Sequence, residues 1–249
     1  MSKQPKYQTL EVKDPHVSYR IKKGEFPDLP CRTLIIGKSQ LSGKSNLLVN
    51  KLIRTDTDLS YWDDFEGRNM YIISPTSDLD FKMKQLIKYK RIPQGNISDE
   101  YDEDQILALY DYLEAKFHND EKKEHTAVIF DDCAFSGDLK HHQAGAIAKL
   151  FMNGRHLLIS TFVLSQKYTL VSTGARGNCT AVYFFSTTPQ EIKTIYEDHG
   201  CGTLKDFMRI FKDYTREPHS WICVNYSNPP ESRYLDQHYE PIKELCDLC

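Results

Sequence analysis

No run in this chain of 249 residues approaches the roughly 18 apolar residues needed to cross a bilayer. The start, MSKQPKYQTLEVKD, has no apolar core of the kind a secretory signal carries, so a soluble, intracellular protein is expected. Charge of one sign is missing as well: 32 basic against 35 acidic residues leave a net charge of −3. No overall field draws such a chain to nucleic acid, and a role there needs a local basic surface. Cysteine lacks a pattern. Seven cysteines at irregular spacing, with Cys31 and Cys223 inside apolar runs, read as reduced thiols and not as a disulfide framework. Cys246 and Cys249 have the spacing of a metal pair, but no second C-x-x-C or H-x-x-x-H joins them, which argues against zinc. Internal repeats and low-complexity tracts are absent, which excludes a solenoid. The length suits one large α/β domain better than two small ones.

What the sequence does contain begins at LIIGKSQLSGKSNLL, residues 34–48. A β-branched apolar strand runs into a loop, and Leu47, Leu48, Leu52 and Ile53 follow at helical spacing. The usual phosphate loop, G-x-x-x-x-G-K-[ST], has four residues between its glycines, whereas here residues 38–42 separate Gly37 from Gly43. The inner half is intact. Gly43 lets the backbone approach phosphates, Lys44 reaches the β- and γ-phosphates, and Ser45 offers a hydroxyl to Mg²⁺. The nucleotide is thus expected against Ser42, Gly43, Lys44, Ser45 and Asn46, with Gly37 displaced and tolerant of alanine.

A second element, HTAVIFDDCAF, places Asp131 and Asp132 at the C-terminal end of an apolar strand, where open α/β sheets hold ligands. This is a Walker B pattern in which Asp131 holds Mg²⁺ and Asp132 polarises the attacking water; the alternative is a solvated strand end. Further strands are expected over 70–73, 157–164, 181–185 and 221–224, and helices over 81–89, 104–117, 142–152 and 204–215. Gly154 is expected to stop the third of these helices. Another helix is expected from Thr188, with Pro189 in its first turn and Glu191 completing a capping box. Gln166 falls just past the end of the 157–164 strand and could sense the γ-phosphate, although a solvent-facing loop residue is the simpler reading. Arg155, at the other end of that strand, cannot serve the same subunit's site if the sheet is parallel. The cluster Lys82, Lys84, Lys88, Lys90 and Arg91 could face DNA, but a solvated helix face is the commoner explanation of such a run. Together the elements describe a RecA-like P-loop α/β fold with a mostly parallel central sheet and helices on both faces. An arm or packed extension is expected over 1–30, the ATPase domain over 31–228, and a tail over 229–249.

Taken in order, GKSQLSGKS, YIISPTS, VIFDDC, LFMNGRH, ISTFVLSQ and RGN resemble the genome-packaging ATPases of large DNA viruses, poxvirus-type members of the FtsK–HerA superfamily of DNA translocases. The resemblance covers about residues 31–187. It implies ATP and Mg²⁺ at Lys44 and Ser45, Asp131 and Asp132 as the Walker B pair, Gln166 as a glutamine sensor and Arg155 as an arginine finger. It also implies double-stranded DNA as substrate, a homo-oligomeric ring, a capsid or portal-vertex protein as partner, no membrane, and location in the virion or infected-cell cytoplasm. The departures are the longer loop and Asp132 where many relatives carry Glu. A conjugation or plasmid-mobilising ATPase and a small-molecule P-loop kinase remain as alternatives. A GTPase is disfavoured because no [NT]-K-x-D segment follows a late strand.

Overall fold

The computed structural model describes residues 19–38, 42–75, 80–133 and 145–248. Their order alternates strand and helix: a hairpin of β1 (Ile21–Lys23) and β2 (Phe26–Leu29), then β3 (Arg32–Ile36), α1 (Lys44–Ile53), β4 (Met70–Ile73), α2 (Phe81–Lys90), β5 (Ile97–Ser98), α3 (Glu103–Asn119) and β6 (Thr126–Asp131). The second half continues with α4 (Ala146–Asn153), β7 (Ile159–Ser165), α5 (Thr173–Arg176), β8 (Ala181–Phe185), α6 (Pro189–His199), α7 (Leu204–Tyr214), β9 (Trp221–Asn225), β10 (Tyr234–Leu235) and α8 (Lys243–Cys246). Eight strands form one sheet in the order β10-β9-β8-β3-β7-β6-β4-β5. All pairings from β8 across to β5 are parallel, and β9 and β10 add antiparallel edge strands.

Alternation along the buried strands splits the core in two. Leu34, Ile36, Val128, Phe130, Val182 and Phe184 face the layer made by α3, α4, α6 and α7. Ile35, Ala127, Ile129 and Tyr183 face the opposite layer, where Leu48 and Leu52 of α1 meet Met83 and Leu86 of α2. The stretch read as an arm or packed extension supplies the hairpin, whose Phe26 and Leu29 belong to this second core. The tail beyond residue 228 supplies β10 and α8, so both ends of the domain are tied into the sheet's surroundings.

Several boundaries differ from expectation. Gly154 ends α4 as its C-cap, as expected, but in the right-handed region at φ −55°; a 3₁₀ turn follows over Gly154–Leu157, and the left-handed reversal falls on Leu158 at φ 57°. The strand therefore starts at Ile159 and not at Leu157. Helix α4 is described from Ala146, and residues 142–144 lie outside the described residues. Cys201 departs from the expectation of uniformly reduced thiols, since it is disulfide-bonded, whereas Cys31, Cys179, Cys223 and Cys246 keep free thiols. Cys246 is buried with its Sγ toward the Tyr234 carbonyl, and Cys249 lies outside the described residues.

Lys51 is the most unusual core residue. It is 3% exposed, its Nζ sits 3.6 Å above the Phe26 ring, and it donates to the hydroxyls of Tyr183 (2.7 Å) and Tyr239. Burial pulls its pKa down from the lysine range to about 7. Above pH 7 the folded state sheds a proton that the unfolded chain keeps up to about pH 10.4, so this residue makes stability rise with pH across that window. The nearby Cys223 thiol, pushed up to about 12 by burial, works in the opposite sense above its ordinary range. The difference between wild type and Lys51→Met isolates the lysine. Thermal melts between pH 7 and 9 should show a more positive pH slope in wild type than in the variant, and equal slopes would mean that Lys51 is charged throughout.

Candidate nucleotide-binding site

Parallel pairing brings three strand ends together. Ile36 of β3 is in register with Ser165 of β7, and Asp131 of β6 with Leu164, so β7 separates the loop-bearing strand from the carboxylate-bearing one by a single strand width. The Gly37 N–H donates to the Ser165 carbonyl at 3.0 Å, which extends the β3–β7 ladder one residue into the loop. From there the chain reaches α1 through Gly43, which adopts φ 86° at the N-cap. Helix α1 has no side-chain cap and no acidic residue in its first turn, whereas Asp80, Asp102, Thr188 and Thr203 cap α2, α3, α6 and α7. Its first N–H groups and the positive end of its dipole are left for an anion.

Opposite this helix start lie the two carboxylates. The Ser45 hydroxyl donates to Asp131 Oδ2 at 3.5 Å, and this single contact joins the loop to the strand end. Asp131 is 1% exposed, and its Oδ1, like Asp132 Oδ1, is buried without a hydrogen-bond partner among the described residues. Burial, with Asp132 beside it, raises the Asp131 pKa to about 7, against the lowering pull of Lys44. Lys44 is buried too, and burial lowers its pKa while Asp132 and Asp131 pull it back up. Asp132 turns left-handed at φ 51°, a conformation that Asp tolerates better than most residues, and so ends the strand at the site.

The other expected residues fall at different distances from this centre. Gln166 follows β7 directly, between the loop and the Asp131–Asp132 pair. Asn46 is exposed on the first turn of α1. The Ser42 hydroxyl is spent inside the loop, donating to the Lys38 carbonyl at 2.8 Å. Arg155 is exposed at the opposite end of β7, where its Nε donates to His156 Nε2. Of the basic cluster, Lys82, Lys84, Lys88 and Arg91 are exposed, but Lys90 is buried, donating to the carbonyls of Trp62 and Phe65, and so cannot join a DNA-facing surface.

One residue of the site carried no sequence signal. His219, from the segment before β9, leans on the loop with Nδ1 3.4 Å from the Ser42 carbonyl, and only the antiparallel return of β9 beside β8 brings it there. It borders a groove of about 420 Å³ between α1 and the C-terminal segment, lined also by Asn46, Asn50, Trp221 and Tyr239.

An open helix start set against buried, unpartnered carboxylates across one strand is the arrangement of a P-loop nucleoside triphosphatase. The sequence profile of the poxvirus A32 protein family matches residues 22–227, and the chain belongs to that family. Among solved structures it is similar to the genome packaging NTPase B204 from Sulfolobus turreted icosahedral virus 2, with AMPPCP bound (TM-score 0.53, 14% identity, 80% of this chain and 93% of that one). The AMP complex of that NTPase gives a TM-score of 0.54 at 15% identity, covering 80% and 94%. B204 from Sulfolobus turreted icosahedral virus, a DNA-packaging ATPase, gives 0.53 at 15% identity with the same coverage. At such identity these likenesses speak for the fold. No curated protein sequence matches the chain.

The displaced first glycine is not tolerant of a side chain. A Cβ on Gly37 would lie 2.6 Å from Ser42 Cβ and 2.9 Å from Phe185 Cβ, so the longer loop folds back on its own start and closes over Gly37. Gly37→Ala must push the loop off the strand ends. Nucleotide titrations should show affinity at least about tenfold weaker, the scale of one lost charge-assisted contact. Wild-type affinity would mean that the loop repacks without cost.

Proposed function

We propose that this protein is an ATP-driven motor that moves double-stranded DNA into a viral capsid, working as a homo-oligomeric ring docked on a capsid or portal-vertex protein. The observation that carries the reading is the meeting of Ser45 with Asp131 beneath the uncapped start of α1, in a chain of the poxvirus A32 family. The likeness to B204, a genome packaging NTPase, supports the same direction.

The residues present fit a divalent cation, because a serine hydroxyl adjoins a buried carboxylate whose second oxygen has no partner among the described residues. Ser45 and Asp131 would hold Mg²⁺, which supplies charge neutralisation at the β- and γ-phosphates when bound. The N–H groups of the loop and the first turn of α1 cradle the triphosphate, with Lys44 on its β- and γ-oxygens. Asp132 takes the proton of the attacking water, and Gln166 orients that water from the end of β7. The γ-phosphate points toward β6, so the nucleoside runs the other way, toward β8 and β9, into the groove beside His219 and Asn46.

Arg155 completes the site from a neighbouring copy. Seven residues of β7 separate it from the catalytic end, about 20 Å at the usual rise, so it cannot reach the phosphates of its own subunit. Arg176 is no substitute, since its guanidinium is committed to Asp198 at 3.0 Å and to the Tyr168 ring.

Two measurements test this reading. ATP turnover should rise on addition of duplex DNA, whereas a small-molecule kinase would ignore DNA and respond to an acceptor. Arg155→Ala and Lys44→Ala should each lose turnover by about 10³-fold, Arg155→Ala while still binding ATP. Mixed in one assembly they should recover activity, because some interfaces pair an intact loop with an intact arginine. Mixtures that stay inactive despite demonstrated co-assembly would remove Arg155 from the site.

A further inference from the structure

Glu191 was expected to reach back to Thr188 and complete a capping box, and it does not. Thr188 accepts the Glu191 N–H at 3.4 Å as a cap should, but the Glu191 carboxylate turns toward the segment after β7. There Oε2 accepts the N–H of Tyr168 at 2.8 Å and of Thr169 at 3.4 Å, while Oε1 accepts the Thr169 hydroxyl at 2.8 Å. The side chain is 9% exposed, so a carboxylate has been taken out of water to hold two backbone amides of a loop. The same helix grips Tyr168 a second time: its hydroxyl lies 2.7 Å from Asp198 Oδ2 and 2.7 Å from His199 Nε2. Tyr168 is completely buried, with its ring edge-on to Phe184 and under the Arg176 guanidinium.

What these bonds hold is the segment that carries Gln166. On one side Ser165 is fixed by the Gly37 N–H, and its hydroxyl donates to the Lys167 carbonyl at 2.9 Å. On the other side, two residues past Gln166, Glu191 fixes Tyr168 and Thr169. Gln166 therefore sits on a short bridge anchored at one end to the phosphate loop and at the other to α6.

We propose that Glu191 is a positioning residue for ATP hydrolysis: through the amides of Tyr168 and Thr169 it sets where Gln166 presents its amide, and it couples the hydrolytic centre to α6. The assignment rests on the reading of Gln166 as the residue that orients the attacking water. Loss of the carboxylate leaves two buried N–H groups unpaired, and the bridge must shift to find water for them. A displacement of about 1 Å at a positioning group costs up to about 10²-fold in rate. Glutamine preserves the geometry, because its Oε1 accepts both amides and its Nε2 donates to the Thr169 hydroxyl.

The test is a cycle of steady-state ATPase and ATP-binding measurements on the full chain with Glu191→Ala, Glu191→Gln, Thr169→Val, Gln166→Ala and the double variant Glu191→Ala/Gln166→Ala. Expected are a kcat about tenfold or more lower in Glu191→Ala with ATP affinity within about twofold of wild type, recovery in Glu191→Gln, and a smaller kcat loss in Thr169→Val, which removes one bond at an exposed residue. In the Gln166→Ala background, Glu191→Ala should cost nothing further, because its effect passes through Gln166. An additive loss in the double variant overturns the proposal while leaving Gln166 its role. Wild-type turnover in Gln166→Ala overturns the sensor reading itself, and the proposal with it. If Glu191→Ala does not fold, Glu191→Gln and Thr169→Val decide: a kcat loss in Glu191→Gln larger than in Thr169→Val contradicts the geometry.

Discussion

Strand β7 lies between β3 and β6, and the site depends on that insertion. With β7 between β3 and β6, the Ser45 hydroxyl reaches Asp131 Oδ2 at 3.5 Å, and Gln166 follows the end of the intervening strand. The parallel direction of all three strands matters equally, since it puts their C-terminal ends on one side and their loops on one surface. It also places Arg155 on the far side, at the opposite end of β7 from Asp131 and Asp132.

Electrostatics follow from the same placement. Asp131 and Lys44 have been drawn out of water, and both shifts oppose ionisation: Asp131 is raised and Lys44 lowered. The oxygens of Asp131 and Asp132 that find no partner among the described residues carry a desolvation cost. A cation and a polyphosphate would offset it together, one bringing positive charge to the acids and the other accepting from the lysine and the helix start. The contrast with the rest of the fold is instructive, because the neighbouring helices satisfy their own first turns with Asp or Thr caps.

The parts of this site that were legible in the sequence are those fixed by local chemistry. Lys44 and Ser45 follow a glycine that must turn left-handed, and Asp131 and Asp132 close an apolar run, so strand, loop and helix can be assigned without a fold. Strands β3, β4, β6, β7, β8 and β9 and most helices were legible for the same reason, whereas the short strands β1, β2, β5 and β10 carried too little apolar pattern to be expected. What escaped was set by contacts distant in sequence. Gly37 reads as a displaced motif residue until Ser42 and Phe185 close on it. Lys90 belongs by composition to a basic patch, but the carbonyls of Trp62 and Phe65 bury it. His219 reaches the loop only because β9 returns antiparallel beside β8. Glu191 fits a capping box in sequence, yet its carboxylate accepts the amides of Tyr168 and Thr169, after β7.

These distant contacts share a theme, in that several of them tie the phosphate side of the sheet to elements that follow β7. Helix α6 holds the Gln166 segment, and the C-terminal turn places Tyr239 against Lys51 in α1. The claim beneath all of this is that Ser45 and Asp131 together form a cation site that the nucleotide completes. Equilibrium titration of ATP into wild type and Asp131→Asn, with and without Mg²⁺, tests it most directly. Mg²⁺ should tighten ATP binding by tenfold or more, on the scale of one charge-assisted contact, in wild type and have little effect in Asp131→Asn. Equal tightening by Mg²⁺ in both proteins would contradict the account.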